Sequence, residues 1–331
     1  MRYTTIGSDP SSARKVSVLS LGAMRFGTTT DVATSFAILD RYVAAGGNFI
    51  DTSNNYLFFV NGTQGGESEA LLGRWRGTRG IDDEIVIATK VGARPIAPAT
   101  DFGTPREGLS RAAIREASER SRERLGVERI DLYYAHVPDQ TGVLMDEQVA
   151  AFGELVAEGM VGLLGLSNHW AWQVERARGL AAAAGSARAD VLQYHHTYLR
   201  MRTDIPDLRF SRDGEIGAAD GSILSYLRAE PGMTLVAYSP LLNGAYTRAG
   251  KKLDRAYDHP GTRARLEALD QVVKQTGATA NQVVLAWLIG GELPVVALVG
   301  ASSVAQLDES LARRSASRSS WLPLPARTSS A

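Results

Sequence analysis

Residues 18–27 read VLSLGAMRFG. An apolar run, residues 18–22, ends in glycine and turns. A helical stretch then covers residues 31–45. A short buried strand followed by an amphipathic helix is the opening unit of an α/β protein. An open, doubly wound sheet that binds a dinucleotide marks this turn with G-x-G-x-x-G. Here only Gly22 and Gly27 are glycine, with Ala23, Met24, Arg25 and Phe26 between them, so that fingerprint is absent. The fold then depends on how many strand–helix units follow.

Seven more follow. Residues 48–51 predict the second strand, with a helix over 67–75. Residues 84–90 (EIVIATK) predict the third, with a helix over 106–125, charged on one side and Ala/Ile/Leu on the other. Residues 130–136 (IDLYYAH) predict the fourth, with a helix over 146–158 closed by Gly159. Residues 162–167 and 191–195 predict the fifth and sixth, separated by a helix over 171–184. Residues 234–239 (TLVAYS) predict the seventh, with helices over 263–275 and 280–288, and residues 295–299 the eighth, with a helix over 304–313. Eight strands alternating with helices predict an α/β fold, the (β/α)8 TIM barrel. The expectation is one barrel domain over residues 1–314. Residues 199–221 lack periodicity and suit either a substrate-covering loop or a solvated insertion. The Ser-, Arg- and Pro-rich tail, residues 315–331, is expected to be flexible.

The 331 residues carry 36 basic and 36 acidic side chains and no cysteine. Net charge of zero, with no long run of one sign, gives no footprint for nucleic acid or an anionic membrane. The lack of cysteine excludes disulfides, thiolate metal sites and cysteine nucleophiles, and no metal site is expected. No window is long and apolar enough for a spanning helix, and residues 1–7 lack a signal-type apolar segment. These features predict a soluble, cytoplasmic protein.

Catalytic groups of a (β/α)8 barrel project from the C-terminal ends of the strands. Strand two ends at Asp51, with Tyr56 in the loop beyond; strand three ends at Lys90, strand four at His136. A tyrosine is a poor acid or base at neutral pH. A nearby lysine ammonium stabilises tyrosinate and lowers that pKa. The lysine needs a carboxylate to stay charged in a desolvated site, and Asp51 is on the neighbouring strand. An imidazole can donate to the substrate oxygen and fix its direction. A lone Asp or Lys at a strand end is commonly a structural ion pair, and a lone buried His is commonly a satisfied core group. Four such residues on three consecutive strand ends form a chemical set. They make a proton donor for an oxygen that becomes alkoxide, half of a carbonyl reduction. The hydride must come from a cofactor.

The motifs around these residues resemble the aldo-keto reductase family, and the similarity runs from about residue 17 to residue 311. The stretch from Asn48 through Asp51-Thr52-Ser53 to Tyr56, with Gly66-Glu67-Ser68-Glu69, is similar to that family's first signature. Residues 87–91 (IATKV) resemble its lysine strand, residues 131–136 (DLYYAH) its histidine strand. Residues 165–168 (GLSN), 237–241 (AYSPL), and 300–302 (GAS) with 306–310 (QLDES) are similar in the same order. The resemblance implies Tyr56 as general acid in reduction and base in oxidation. Lys90 would tune it, Asp51 would hold Lys90 and His136 would orient the carbonyl.

It also implies a nicotinamide cofactor, NADP(H) slightly ahead of NAD(H). Ser167, Asn168 and Gln193 would bond the carboxamide, and Tyr238 would stack on the ring. Ser239, Leu241, Asn243 and Gly244 would hold the pyrophosphate. Gly22, Met24 and Arg25 would touch the ribose or nicotinamide side, although Arg25 serves equally well as a surface ion pair. Gly300, Ser302, Gln306, Glu309 and Ser310 would form the C-terminal cofactor segment. That segment holds no basic residue for a 2′-phosphate, leaving Ser302, Ser303, Arg248 or Lys251 to supply the contact. Residues 57–65 are longer than the family pattern and would shape the substrate side.

The expected partner is a small carbonyl or alcohol. Met24, Asn54, Phe58, Phe59, His169, Trp170, Trp172, His195, His196 and Tyr198 are candidate lining residues, and their mixture of rings and polar groups suits a sugar-like carbonyl. The family includes both monomers and assemblies. Two other readings keep the barrel: a Schiff-base aldolase using Lys90, and a non-catalytic nucleotide- or partner-binding subunit.

Overall fold

The computed structural model describes residues 1–60, 62–100, 104–202, 204 and 217–312. The chain opens with an antiparallel hairpin, β1 (Tyr3–Ile6) and β2 (Arg14–Ser17), whose short strands the sequence pattern does not signal. Eight strands follow: β3 (Leu19–Gly22), β4 (Phe49–Asp51), β5 (Val86–Val91), β6 (Ile130–Ala135), β7 (Val161–Ser167), β8 (Ala189–His195), β9 (Thr234–Tyr238) and β10 (Val295–Gly300). Each pairs in parallel with its successor, and β10 pairs with β3, closing the barrel. All eight lie within a few residues of the predicted positions.

The helices are α1 (Val32–Ala44), α2 (Glu67–Arg79), α3 (Arg111–Leu125), α4 (Met145–Ala157), α5 (Ala171–Ala183), α6 (Gly221–Ala229), α7 (Pro260–Thr276), α8 (Ala280–Gly290) and α9 (Val304–Leu311). Among the described residues, no helix is long and apolar enough to cross a membrane. Helix α3 begins five residues later than predicted. Arg106 instead bridges Pro95, Gly108 takes a φ of 68° that a helix cannot use, and the Ser110 side chain caps the Ala113 amide. Helix α6 starts where the predicted irregular stretch ends, capped by Asp220 on the Ile223 amide. Most of residues 199–221, and all of the tail 315–331, lie outside the described residues.

Side chains alternate between the two faces of each strand. Phe49, Val86, Ala88, Leu132, Tyr134, Leu163, Val191, Val236, Val296 and Leu298 form one cluster. Residues from seven strands of a closed barrel can meet only inside it. Ile6 and Val16 join the same cluster, so the hairpin stoppers the N-terminal end. The alternate set, such as Leu21, Ile50 and Ile87, packs outward against Ile38, Leu39, Leu71 and Trp75 of α1 and α2.

Two residues further along each strand, the inward direction recurs. It now selects Asp51, Lys90, His136, Ser167, Gln193, Tyr238 and Gly300. The polar set is therefore the last inward layer at the C-terminal mouth. Gly165 makes room for its floor: a Cβ there would lie 2.4 Å from two ring carbons of Tyr134. The ring of Tyr134 crosses the barrel beneath Lys90, whose Nζ is 5.8 Å from the ring centroid.

Candidate active site

Asp51, Lys90 and Tyr56 converge as predicted. Lys90 and Asp51 are buried. Lys90 Nζ donates to Asp51 Oδ1 at 2.6 Å, to the Thr52 carbonyl at 2.6 Å and to Tyr56 Oη at 2.7 Å. An ammonium has three protons, and all three are used. Tyr56 in turn donates to Asp51 Oδ1 at 2.8 Å. Asp51 Oδ2 accepts from Gln193 Nε2 at 2.7 Å.

The electrostatics depart from expectation at one point. Burial, and then the negative charge of Asp51, hold the Tyr56 phenol well above its usual value of 10, even with Lys90 in contact. Burial and Asp51, which lies against both groups, outweigh the ammonium that Lys90 places at the phenol oxygen. Burial also pulls Lys90 down, against the pull of Asp51. In this arrangement Tyr56 keeps its proton at neutral pH.

His136 stands on the other side of Tyr56, ring centroids 6.1 Å apart at 81°. Burial first, then the charges of Lys90 and Arg106, push its imidazole well below the ordinary value, so it is neutral. Its Nδ1 lies 3.2 Å from Ser53 Oγ. Ser53 donates to Asn55 Oδ1 at 2.7 Å, and Asn55 Nδ2 donates to the Ala93 carbonyl at 3.2 Å. Neither Ser53 nor Asn55 was among the candidate site residues. Both sit inside the quoted motif, but their importance depends on which atom each faces.

On the adjoining side, Asn168 takes a left-handed backbone, φ 60°. Its Nδ2 donates to the His136 carbonyl and Ser167 Oγ, each at 3.0 Å, and its Oδ1 accepts from the Tyr238 hydroxyl at 2.9 Å. Tyr238 is thereby anchored by its edge. Among the polar atoms here that the described contacts leave free are the Ser167 hydroxyl proton and Gln193 Oε1. One donor and one acceptor, side by side, complement a carboxamide. Gln193 thus differs from expectation in part, because its amide nitrogen serves Asp51.

Beyond β9 the backbone is bent sharply, with Ser239, Leu242 and Asn243 all at positive φ. Gly244 follows at φ 90°, and Arg248 lies against it: a Cβ on Gly244 would sit 2.9 Å from the guanidinium Nε. No carboxylate pairs with the exposed Arg248 among the described residues. Leu241 is half-buried against the main core. Met24 and Arg25 are exposed in the turn after Gly22.

After Gly300, Gln306 Oε1 accepts from the Ser302 amide at 2.9 Å and its hydroxyl at 3.0 Å. Glu309 Oε1 accepts from Thr279 and Asn281 at the start of α8. The Ser310 hydroxyl donates back to the Gln306 carbonyl. Among the described residues no hydrogen bond or ion pair joins this segment to the Tyr56 centre.

Several expected lining residues face elsewhere. His169 is buried, its Nδ1 on the Ser167 carbonyl at 2.8 Å. His196 and Tyr198 turn to Trp287 of α8, with ring centroids at 5.9 and 5.4 Å. His195 packs between Tyr238 and Tyr257. The polar rings expected for a sugar-like substrate are therefore largely dispersed.

A model of the Aldo/keto reductase family matches residues 18–318. The chain belongs to the aldo/keto reductase family. It is similar to an uncharacterized oxidoreductase, YrpG, of Bacillus subtilis, 30% identical over 312 residues, which is 94% of this chain and 90% of that protein. Norsolorinic acid reductase A of Aspergillus parasiticus is 31% identical over 323 residues, 91% of this chain and 74% of that protein. Aldo-keto reductase ausK of Emericella nidulans is 28% identical, with 91% and 75% covered. This aldo/keto reductase is an oxidoreductase acting on carbonyl groups.

The loop between β5 and α3 contributes one more group that the motifs did not reveal, the half-buried Glu107. Glu107 Oε1 accepts from Asn54 Nδ2 at 2.9 Å and from the Gly92 amide at 2.8 Å. Burial raises this carboxyl against those bonds. It pins the turn that carries Ser53 and Asn55.

Proposed function

We propose that this aldo/keto reductase reduces an aldehyde or ketone, reversibly, with its carbonyl oxygen at Tyr56 Oη and NADPH preferred to NADH. The observation that carries the reading is the Lys90 ammonium fixed by Asp51, Thr52 and Tyr56. Tyr56 retains its proton at neutral pH and can rotate it from Asp51 to a bound carbonyl oxygen. As that oxygen gains negative charge, Tyr56 protonates it. The tyrosinate left behind is met at 2.7 Å by Lys90, whose charge Asp51 maintains. In oxidation the same phenolate removes the proton. His136 borders the oxygen site and orients the substrate.

A bound nicotinamide would supply or accept the hydride. The amide-complementary pair, Ser167 and Gln193, together with Asn168, supports carboxamide binding. Tyr238 offers an anchored ring face. The bend at Ser239, Leu241, Asn243 and Gly244 suits phosphate, and Arg248 beside Gly244 favours an added 2′-phosphate. Gly22, Met24 and Arg25 close the cofactor side of the mouth. Gly300, Ser302, Gln306, Glu309 and Ser310 border its far end, where α9 starts with no acidic residue in its first turn.

The substrate body we take to be apolar or aromatic rather than sugar-like. Met24 and Phe59, in the turns after β3 and β4, and Trp172, at the start of α5, are 39%, 38% and 60% exposed. These three large apolar side chains, on loops and a helix start that follow strand ends, favour an apolar substrate body. Lys90 is a poor Schiff-base nucleophile here, because its protons are all engaged and its charge is paired.

Isothermal titration with NADPH and NADH separately, followed by NADPH oxidation with a panel of ketones, tests this reading. Tighter binding of NADPH with turnover of aryl ketones is expected. Binding of neither nicotinamide would overturn it.

A further inference from the structure

The turn after β4 contains a hydrogen-bond chain whose direction is forced. The Ala93 carbonyl can only accept, so the Asn55 atom facing it at 3.2 Å is Nδ2. That leaves Asn55 Oδ1 toward Ser53, and an amide oxygen can also only accept. Ser53 must therefore give its single proton to Asn55, at 2.7 Å. What Ser53 offers its other neighbour is a lone pair. That neighbour is His136 Nδ1, at 3.2 Å, and the contact is a hydrogen bond only if Nδ1 carries the proton.

The chain is held rigidly. Ser53 and Asn55 are both buried. Glu107 Oε1 fixes Asn54 between them and also accepts from the Gly92 amide, on the strand-end loop that supplies Ala93. A neutral imidazole has one ring proton, so with Nδ1 protonated Nε2 is bare. Nε2 has no partner among the described residues. The ring stands edge-on to Tyr56, 6.1 Å between centroids, at the position expected for a donor to the carbonyl.

We propose that Ser53 and Asn55 hold His136 with its proton on Nδ1, so that Nε2 accepts a hydrogen bond from the substrate, and that the site selects carbonyl compounds carrying a hydroxyl beside the carbonyl. This rests on the reductase reading above and sharpens its substrate class. Among the four grouped residues Tyr56 is then the one that donates to the carbonyl oxygen. A bare nitrogen repels a carbonyl oxygen but attracts an adjacent O–H, which fixes the substrate at two points. Ser53 and Asn55 are positioning residues, since both act through His136. The expectation that His136 donates to the carbonyl gives way to the reverse polarity.

Two readouts test this on the full chain. The first is a nitrogen–proton correlation spectrum of the histidine-labelled protein. The chain has five histidines, and His136 is assigned by the signal lost in His136→Gln. A proton on Nδ1 is expected; a proton on Nε2 overturns the proposal. The second compares α-hydroxyacetophenone with α-methoxyacetophenone, which keeps the oxygen and loses the donor. The hydroxy compound should have about tenfold higher kcat/KM, the worth of one hydrogen bond to an otherwise unmet acceptor. Ser53→Thr keeps a hydroxyl and should keep that ratio, whereas Ser53→Ala should bring it within about threefold. Equal kcat/KM for the two compounds in the unaltered protein overturns the proposal. If no ketone is turned over, the reductase reading fails, and the spectrum alone upholds or overturns the tautomer.

Discussion

Lys90 and Asp51 form an ion pair with 0% and 1% side-chain exposure and 2.6 Å between Nζ and Oδ1. Replacing Lys90 by Met removes the cation and three hydrogen bonds, and leaves Asp51 charged in a closed site. Breaking a buried pair from one side costs about 3–5 kcal/mol. Asp51→Asn strands the ammonium instead, at similar cost, although the amide still offers Lys90 an acceptor. The double variant removes both charges together. The pair accounts for most of each single cost, so the double should be less destabilised than the sum by about 2–3 kcal/mol. Urea unfolding of the four proteins, followed by circular dichroism, measures the cycle. All three variants should lose turnover, so stability is the informative axis. Additivity within about 0.5 kcal/mol would refute the claim that the two charges depend on each other.

His169 is held down to about 4 by burial. Unfolded, it titrates near 6.5, so between those values only the unfolded chain takes a proton. Its contribution is fully present above pH 6.5 and is lost as pH falls through about 4, a change of about 3 kcal/mol. His169→Asn should flatten stability against pH in that window, and an unchanged slope argues against the burial. Gly165→Ala drives a methyl into the Tyr134 ring and should cost about 1–3 kcal/mol, with part of the loss recovered by Tyr134→Leu; urea midpoints decide. Arg248→Ala should weaken NADPH binding about tenfold and NADH binding little, by titration; equal weakening places Arg248 elsewhere on the cofactor.

The barrel was legible because strands of a parallel sheet are buried on both faces and read as unbroken apolar runs. The same regularity exposed the quartet, since a polar residue ending such a run points into the mouth. What was lost is what period and composition do not encode. The hairpin strands TyrThrThrIle and ArgLysValSer at residues 3–6 and 14–17 are too short to show alternation. His196 and Tyr198 lie just past β8, where the alternation no longer fixes direction, and they turn to Trp287. Gln193 points inward as the strand predicts, but whether its nitrogen meets Asp51 or a ligand depends on a distance across the barrel. In the Asn55–Ser53–His136 chain only the first two members are near in sequence, and its polarity follows from the Ala93 carbonyl on a different loop.

Tyr56, held by Lys90, is the proposed proton donor. Tyr56→Phe removes one oxygen from a half-buried ring and leaves the groups proposed to hold the carboxamide and phosphates untouched. Nicotinamide affinity by titration should stay within about threefold, while kcat for ketone reduction should fall by about 10²–10⁴. Near-normal turnover by Tyr56→Phe would contradict the account.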